Sequence, residues 1–196
     1  MNDCAQDEMD RLDMERLAAG HDAALNHLME RHSQRLFHYL LRLVFHEADA
    51  EDCAQEAFVR VYVHRAKFRA GSKFSTWLYA IATNLARDCR RRHARHPQVS
   101  LSEPEGGGGL ETMADQGPLP GEQLQAGERA AQVKAAVQAL PEELRAPLVL
   151  FEYEHLPQAE IAAILGCTAK AVETRIYRAR NMLRKTLSGL SLCGTI

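Results

Sequence analysis

Between His96 and about Gln123 the sequence loses all helical periodicity, and that break dictates what the rest can build. Pro97, Pro104, Gly106 to Gly109, Gly117, Pro118, Pro120 and Gly121 interrupt every pattern, and acidic residues replace basic ones. Long structureless loops are uncommon inside compact domains, so the stretch is read as a flexible acidic linker. On both sides apolar residues recur at intervals of three and four, and no stretch alternates cleanly as a strand requires. The expected fold is all-α: two small helical domains joined by a flexible linker. The divisions are an acidic N-terminal tail over 1–20, a first domain over 21–95, the linker over 96–123, a second domain over 124–187 and a tail over 188–196.

The first block holds three helical patterns. Leu25, Leu28, Met29, His32, Leu36, Leu40, Leu43 and Val44 make one. A second opens at Asp49 as N-cap, with Glu51 and Asp52 in the first turn where negative charge suits the helix dipole, and runs through Cys53, Ala57, Phe58 and Val61. Residues 68–73 read as a loop, and a third helix starts near Ser75 and buries Leu78, Ile81, Ala82, Leu85 and Cys89. In the second block one helix carries Val133, Val137 and Leu140 and breaks at Pro141. The next carries Leu144, Leu148 and Phe151 and ends near His155, and two more follow Pro157.

The net charge of −2 over 196 residues argues, taken alone, mildly against nucleic acid; its distribution argues otherwise. Acids collect over 47–56 and 103–128, bases in Arg87, Arg90, Arg91, Arg92 and Arg95 and again in Lys170, Arg175, Arg178, Arg180, Arg184 and Lys185. Such a chain offers basic patches to phosphates and acidic patches to a protein partner. No apolar run approaches the ~20 residues that cross a bilayer, and the polar, acidic start is no secretory signal, so a cytoplasmic protein without membrane insertion is expected. The five scattered cysteines suit no disulfide framework, and Cys53 and Cys89 fall on apolar stripes where packing is the expected role. The nine histidines form no H-x-x-x-H pair and are not read as clustering with cysteine, so no metal and no cofactor is expected. No nucleophile–base pairing or phosphate-cradling glycine motif points to an enzyme; Gly106 to Gly109 lacks the Lys-Ser/Thr of a P-loop.

Residues 156–180 carry the most specific local signal. Pro157 suits a first helical turn, Ala162 and Ala163 let a second helix cross closely, Gly166 can end the scaffold helix, and Thr168 can cap the next. That next helix buries Val172, Ile176, Ala179, Leu183 and Leu187 and turns Lys170, Glu173, Thr174, Tyr177 and Arg178 outward. This is a helix-turn-helix, whose second helix reads base edges in the major groove. A helical hairpin with a solvated basic face is the blander reading. Around the 68–73 loop, Phe68, Phe74, Trp77 and Tyr79 lie beside Arg69 and Lys73, and aromatic rings beside bases suit unstacked nucleotides. Phe74 and Trp77 are expected to be at least half structural, and Arg90 to Arg92 also suit a helix C-terminus.

Asp49 to Phe58, followed by Phe68, Phe74-x-x-Trp77-Leu78-x-x-Ile81-Ala82-x-Asn84 and Asp88-x-x-Arg91-Arg92, resembles region 2 of extracytoplasmic-function (ECF) sigma factors. Residues 124–187, with Ala139 to Glu142 and the helix-turn-helix, resemble region 4. The resemblance implies a sigma factor that binds core RNA polymerase and directs promoter-specific initiation. It implies that Asp52, Gln55 and Glu56 dock on the β′ clamp coiled coil. It implies that the loop with Arg69, Ser72 and Lys73, with Trp77 and Asn84, takes a flipped base of the −10 element, while Arg87, Arg91 and Arg92 hold nearby strands. It further implies that Lys170, Glu173, Thr174, Arg175, Tyr177 and Arg178 face the −35 element, that region 4 contacts the β flap, and that an anti-sigma factor controls the chain. Many members carry a base at the position of Glu173; glutamate accepts only from cytosine N4 among major-groove groups, so a different −35 preference is expected. Two other readings stand beside this one: a helix-turn-helix regulator acting without core polymerase, and a helical adaptor binding proteins only.

Overall fold

The computed structural model describes residues 3–69, 71–95 and 120–191. Among them are eight α-helices and no strand: α1 (Asp3–Ala18), α2 (Ala23–Val44), α3 (Glu47–Val63), α4 (Phe74–Arg95), α5 (Pro120–Gln138), α6 (Glu142–Glu152), α7 (Gln158–Leu165) and α8 (Ala169–Ser191). A short 3₁₀ turn over Arg65–Lys67 follows α3. Residues 96–119, most of the expected linker, lie outside the described residues.

Helices α2, α3 and α4 pack mutually because each carries one continuous apolar stripe. Leu28, Leu36, Tyr39, Leu40 and Leu43 from α2 meet Ala50, Ala57, Phe58 and Val61 from α3 and Phe74, Leu78, Ala82 and Leu85 from α4. Ala50, Ala57 and Ala82 are wholly buried, and their small side chains let the helix backbones approach. The second helix opens two residues before its expected cap. His46 is the N-cap, and Asp49 sits inside the first turn with Glu47.

The segment expected to be an acidic tail is largely helical from Asp3 onward. This helix, α1, lies against α2 and buries Met14 and Leu17. Its acids are partly structural: Asp10 is 1% exposed, 2.8 Å from Arg31 Nε and 2.6 Å from His32 Nε2, and Asp13 accepts from Arg31 at 2.7 Å. Burial disfavours a charged Asp13, but Arg31 and His27 outweigh it and hold the carboxyl below its ordinary value.

The second domain is α5 to α8, with α8 packed on the other three. Its first helix begins at Pro120, inside the stretch expected to be linker, because proline is compatible with a first helical turn. Arg145 is 1% exposed and hydrogen-bonds to no carboxylate among the described residues. Its guanidinium donates to the carbonyls of Val137, Gln138 and Leu140 at 3.1, 2.8 and 2.5 Å, and to that of Leu43 at 3.3 Å. Those carbonyls belong to the C-terminal ends of α5 and α2 and to the turn after α5, where helix dipoles favour a cation. The same guanidinium lies 4.8 Å from the ring of Phe45, the left-handed cap of α2. One side chain thereby closes two helices of different domains.

Candidate nucleic-acid interface

The helix-turn-helix forms for the local reasons its sequence contains. Gly166 ends α7 at φ 63, a left-handed conformation that costs glycine little. The Thr168 hydroxyl accepts from the amide of Ala171 at 3.2 Å and caps α8. Ile161, Ile164, Val172, Ile176 and Ala179 are buried between α6, α7 and α8, whereas Leu183 is only partly buried. Lys170, Glu173, Thr174, Tyr177 and Arg178 are exposed, Tyr177 by 67%. Lys170 pairs with Glu173 at 2.8 Å.

Lys170, Glu173, Thr174 and Tyr177 line one hollow of about 410 Å³ together with Phe151, Gln158 and Arg180. Arg175 does not join them; half-buried, it reaches Cys167 Sγ at 3.6 Å. Gln158 and Arg180 are additions to the face expected from sequence. Arg180 stacks 5.2 Å from the ring of Phe151 and pairs with Glu152 at 2.6 Å. Its position three residues after Tyr177 was the available signal.

In the first domain, Arg69, Ser72, Lys73 and Trp77 surround a cleft of about 600 Å³. The ring of Trp77 tilts against Phe68 at 5.5 Å, half-buried and supported by the core. Two other aromatics are structural. Phe74 is buried, and Tyr79, read beforehand as part of the stacking set, points inward, where its hydroxyl donates to Glu154 at 2.7 Å. Asn84, Arg87, Arg91 and Arg92 lie farther along α4 and are not among the walls of the cleft. Arg91 pairs with Asp88, and Arg87 reaches Glu142 at 3.4 Å. Asp52, Gln55 and Glu56 share an exposed face of α3, with Glu56 held by Arg60 at 2.8 Å.

The far wall of the 600 Å³ cleft is α7 of the second domain, through Ala159, Glu160 and Ala163. Lys73 is engaged there, 2.7 Å from Glu160 and 3.3 Å from Asp7 of α1, and these carboxylates raise its pKa. Sequence reading paired Lys73 with nucleic acid and gave no sign that another domain holds it. Burial and the facing Glu154 carboxylate raise the pKa of the Tyr79 hydroxyl, which stays protonated as the donor across the interface. Arg42 stacks 4.3 Å from the ring of Tyr153 at the same junction. No helix among the described residues is long and apolar enough to cross a membrane.

A helix-turn-helix on one domain, and on another a bundle with an aromatic–basic cleft and an acidic helix face, define a two-domain nucleic-acid-binding protein. Residues 28–96 match Sigma-70 region 2 and residues 130–183 match Sigma-70, region 4. The RNA polymerase sigma-H factor of Pseudomonas aeruginosa is 33% identical over 93% of this chain and 96% of its own length. The ECF RNA polymerase sigma factor SigW of Bacillus subtilis is 36% identical over 87% and 92%, and the ECF RNA polymerase sigma-E factor of Escherichia coli 33% over 89% and 92%. Among solved structures, CnrH in complex with the cytosolic domain of CnrY is similar with a TM-score of 0.69 at 26% identity, over 92% of this chain and 98% of that one. The sigma factor RpoE of Bartonella quintana, solved with the anti-sigma factor NepR, shares the fold with a TM-score of 0.63 at 24% identity, over 83% and 96%. The chain belongs to the sigma-70 family, and within it to the ECF sigma factors, which direct RNA polymerase to promoters.

Proposed function

We propose that the chain docks on core RNA polymerase through the Asp52, Gln55 and Glu56 face of α3, opens and holds the −10 element at the Arg69–Trp77 cleft and α4, and reads the −35 element with the outer face of α8. The observation that carries this reading is the separation of three surfaces of different chemistry in family order. An exposed acidic face on α3, an aromatic–basic cleft, and a recognition helix each stand on their own element. Asn84, Arg87, Arg91 and Arg92 then follow the displaced strand along α4 away from the cleft. Region 4 also meets the β flap, and the protein acts in the cytoplasm, where the polymerase works.

The closed arrangement bears on regulation. With α7 forming one wall of the cleft and Glu160 holding Lys73, the second domain covers part of the surface assigned to the −10 element while the outer face of α8 stays exposed. Core polymerase has to part the domains before promoter DNA engages both. An anti-sigma partner holding the closed form fits this geometry, as the structure similar at 26% identity was solved with the cytosolic domain of a second protein bound.

Run-off transcription with purified core polymerase, the full chain and a promoter library tests the assignment. Start sites that require the wild-type chain, and disappear with the Gln55→Ala/Glu56→Ala variant, are expected. Tight duplex binding by the chain alone, without transcription, would show a regulator acting without polymerase.

A further inference from the structure

The first turns of α3 and the last turns of α4 meet in a cluster of side chains that promoter recognition does not use. Asp49 and Cys53 stand four residues apart on α3, and Cys89 and His93 four apart on α4, so each pair shares one helix face. The donor atoms of Asp49, Cys89 and His93 all lie within 4.8 Å of one another. Cys53 and Cys89 are reduced and buried, at 4% and 3% exposure, and their thiols interact. We propose that Asp49, Cys89 and His93, with Cys53 beside them, form a site for a divalent transition-metal ion of the zinc type.

Two observations point to a ligand rather than to packing. Oδ2 of Asp49 is buried without a hydrogen-bond partner. It lies 3.5 Å from Nδ1 of His93 and 3.5 Å from Nδ1 of His46, close enough for a shared cation but without hydrogen-bond geometry. Its neighbours are these two imidazoles and the Cys89 thiol, weak partners for a buried carboxylate oxygen, which a cation would satisfy better. The second is chemical complementarity. One carboxylate, one imidazole and one thiol make a mixed O/N/S set, with the Cys53 thiol next to Cys89 as the nearest further donor, a composition that favours zinc over hard cations. Tetrahedral bonds at ordinary zinc distances separate donors by about 3.3–3.8 Å, so side-chain rotation has to bring them about 1 Å closer.

In the metal-free cluster burial favours the protonated form of both thiols. Burial first, and then the neighbouring Cys89, push the Cys53 thiol up to about 12, while burial and Asp49 push Cys89 upward as well. A divalent ion reverses that balance: each ligating thiol loses its proton to solvent, and its sulfur pair forms the metal bond. His93 is 55% exposed, so the site opens to solvent on one side and an ion can enter. Sequence reading expected no metal and treated both cysteines as packing. The overlooked signals were the spacings Asp49-x-x-x-Cys53 and Cys89-x-x-x-His93, each ordinary by itself.

The test is titration of the reduced, metal-stripped full chain with cobalt(II), in parallel with Cys89→Ser, His93→Ala and Cys167→Ser. One cobalt per chain is expected, with intense tetrahedral d–d bands and a thiolate-to-cobalt charge-transfer band, both abolished by zinc. The charge-transfer band should be lost or halved in Cys89→Ser and untouched in Cys167→Ser. His93→Ala alters an exposed side chain and should fold normally, yet bind at least about tenfold more weakly, since losing even an outer-shell partner of a metal ligand costs that much. Weak octahedral spectra in the wild type, or spectra unchanged in both Cys89→Ser and His93→Ala, would overturn the proposal. So would a Cys53–Cys89 disulfide that forms on isolation and persists when zinc is present throughout purification.

Discussion

At the scale of single residues, Arg145 shows how a buried charge is held by backbone carbonyls, with no counter-ion among the described residues. Four carbonyls surround its guanidinium, and each hydrogen bond from a charged donor is stronger than a neutral one. Arg145→Ala removes the cation and leaves the helix-end carbonyls unpaired. We expect a loss of about 3 kcal/mol of stability, read from the shift in the urea midpoint. A shift within error would mean that water replaces the guanidinium freely. Gly166 makes a second case. At φ 63 nothing lies within 4 Å of an added Cβ, so Gly166→Ala meets backbone strain and no clash. A cost of about 1 kcal/mol is expected, with −35 binding weakened as α7 and α8 lose their angle.

At the scale of elements, α1 depends on α2 rather than on its own composition. Its apolar residues do not all face the bundle, and Met9 and Leu12 are exposed. Its attachment rests on Met14 and Leu17 and on the paired Asp10 and Asp13. The folded pKa of Asp13 is depressed, so its contribution is complete above the unfolded value of about 3.9 and is lost as pH falls through the folded value. Amide protection in α1, corrected for intrinsic exchange, should therefore fall on acidification below that range before protection in α3 does. Uniform loss across both helices would contradict this.

At the scale of the molecule, the two domains pack through α4 against α7 and α2 against α6, and polar contacts cross the junction from Tyr79 to Glu154, Lys73 to Glu160, Arg87 to Glu142, Arg145 to Leu43 and Arg42 to Tyr153. The Tyr79–Glu154 bond is the critical one, because Glu154 is only 8% exposed and its carboxylate needs a donor. Tyr79→Phe keeps the ring packed against Tyr39 and deletes the hydroxyl. Leaving a buried acceptor unpaired costs about 1–3 kcal/mol, which should shift the chain toward a separated form. Small-angle scattering should show a larger radius of gyration for Tyr79→Phe than for wild type at the same salt. Equal radii would mean that the other contacts suffice to keep the domains together.

Helix identity was legible because local periodicity encodes it: the stripes of α2, α3, α4 and α8, the glycine at 166 and the cap at 168 each act within a few residues. The exposed α3 face and the outer face of α8 were legible for the same reason, as the complements of buried stripes. The acidic N-terminus read as a tail, since nothing local shows that Arg31 and His32 of the next helix pair with Asp10. Tyr79 read as a stacking ring and Lys73 as a free cation. Their partners Glu154 and Glu160 lie 75 and 87 positions away. Sequence by itself determined most of the inward-facing residues of the helices, because a backbone with a fixed period sorts side chains by spacing alone, although Met29 and Val133 fall on such stripes and are exposed. Only the tertiary structure decided which charged and nucleophilic groups meet, because electrostatics and coordination act through space and are indifferent to separation along the chain.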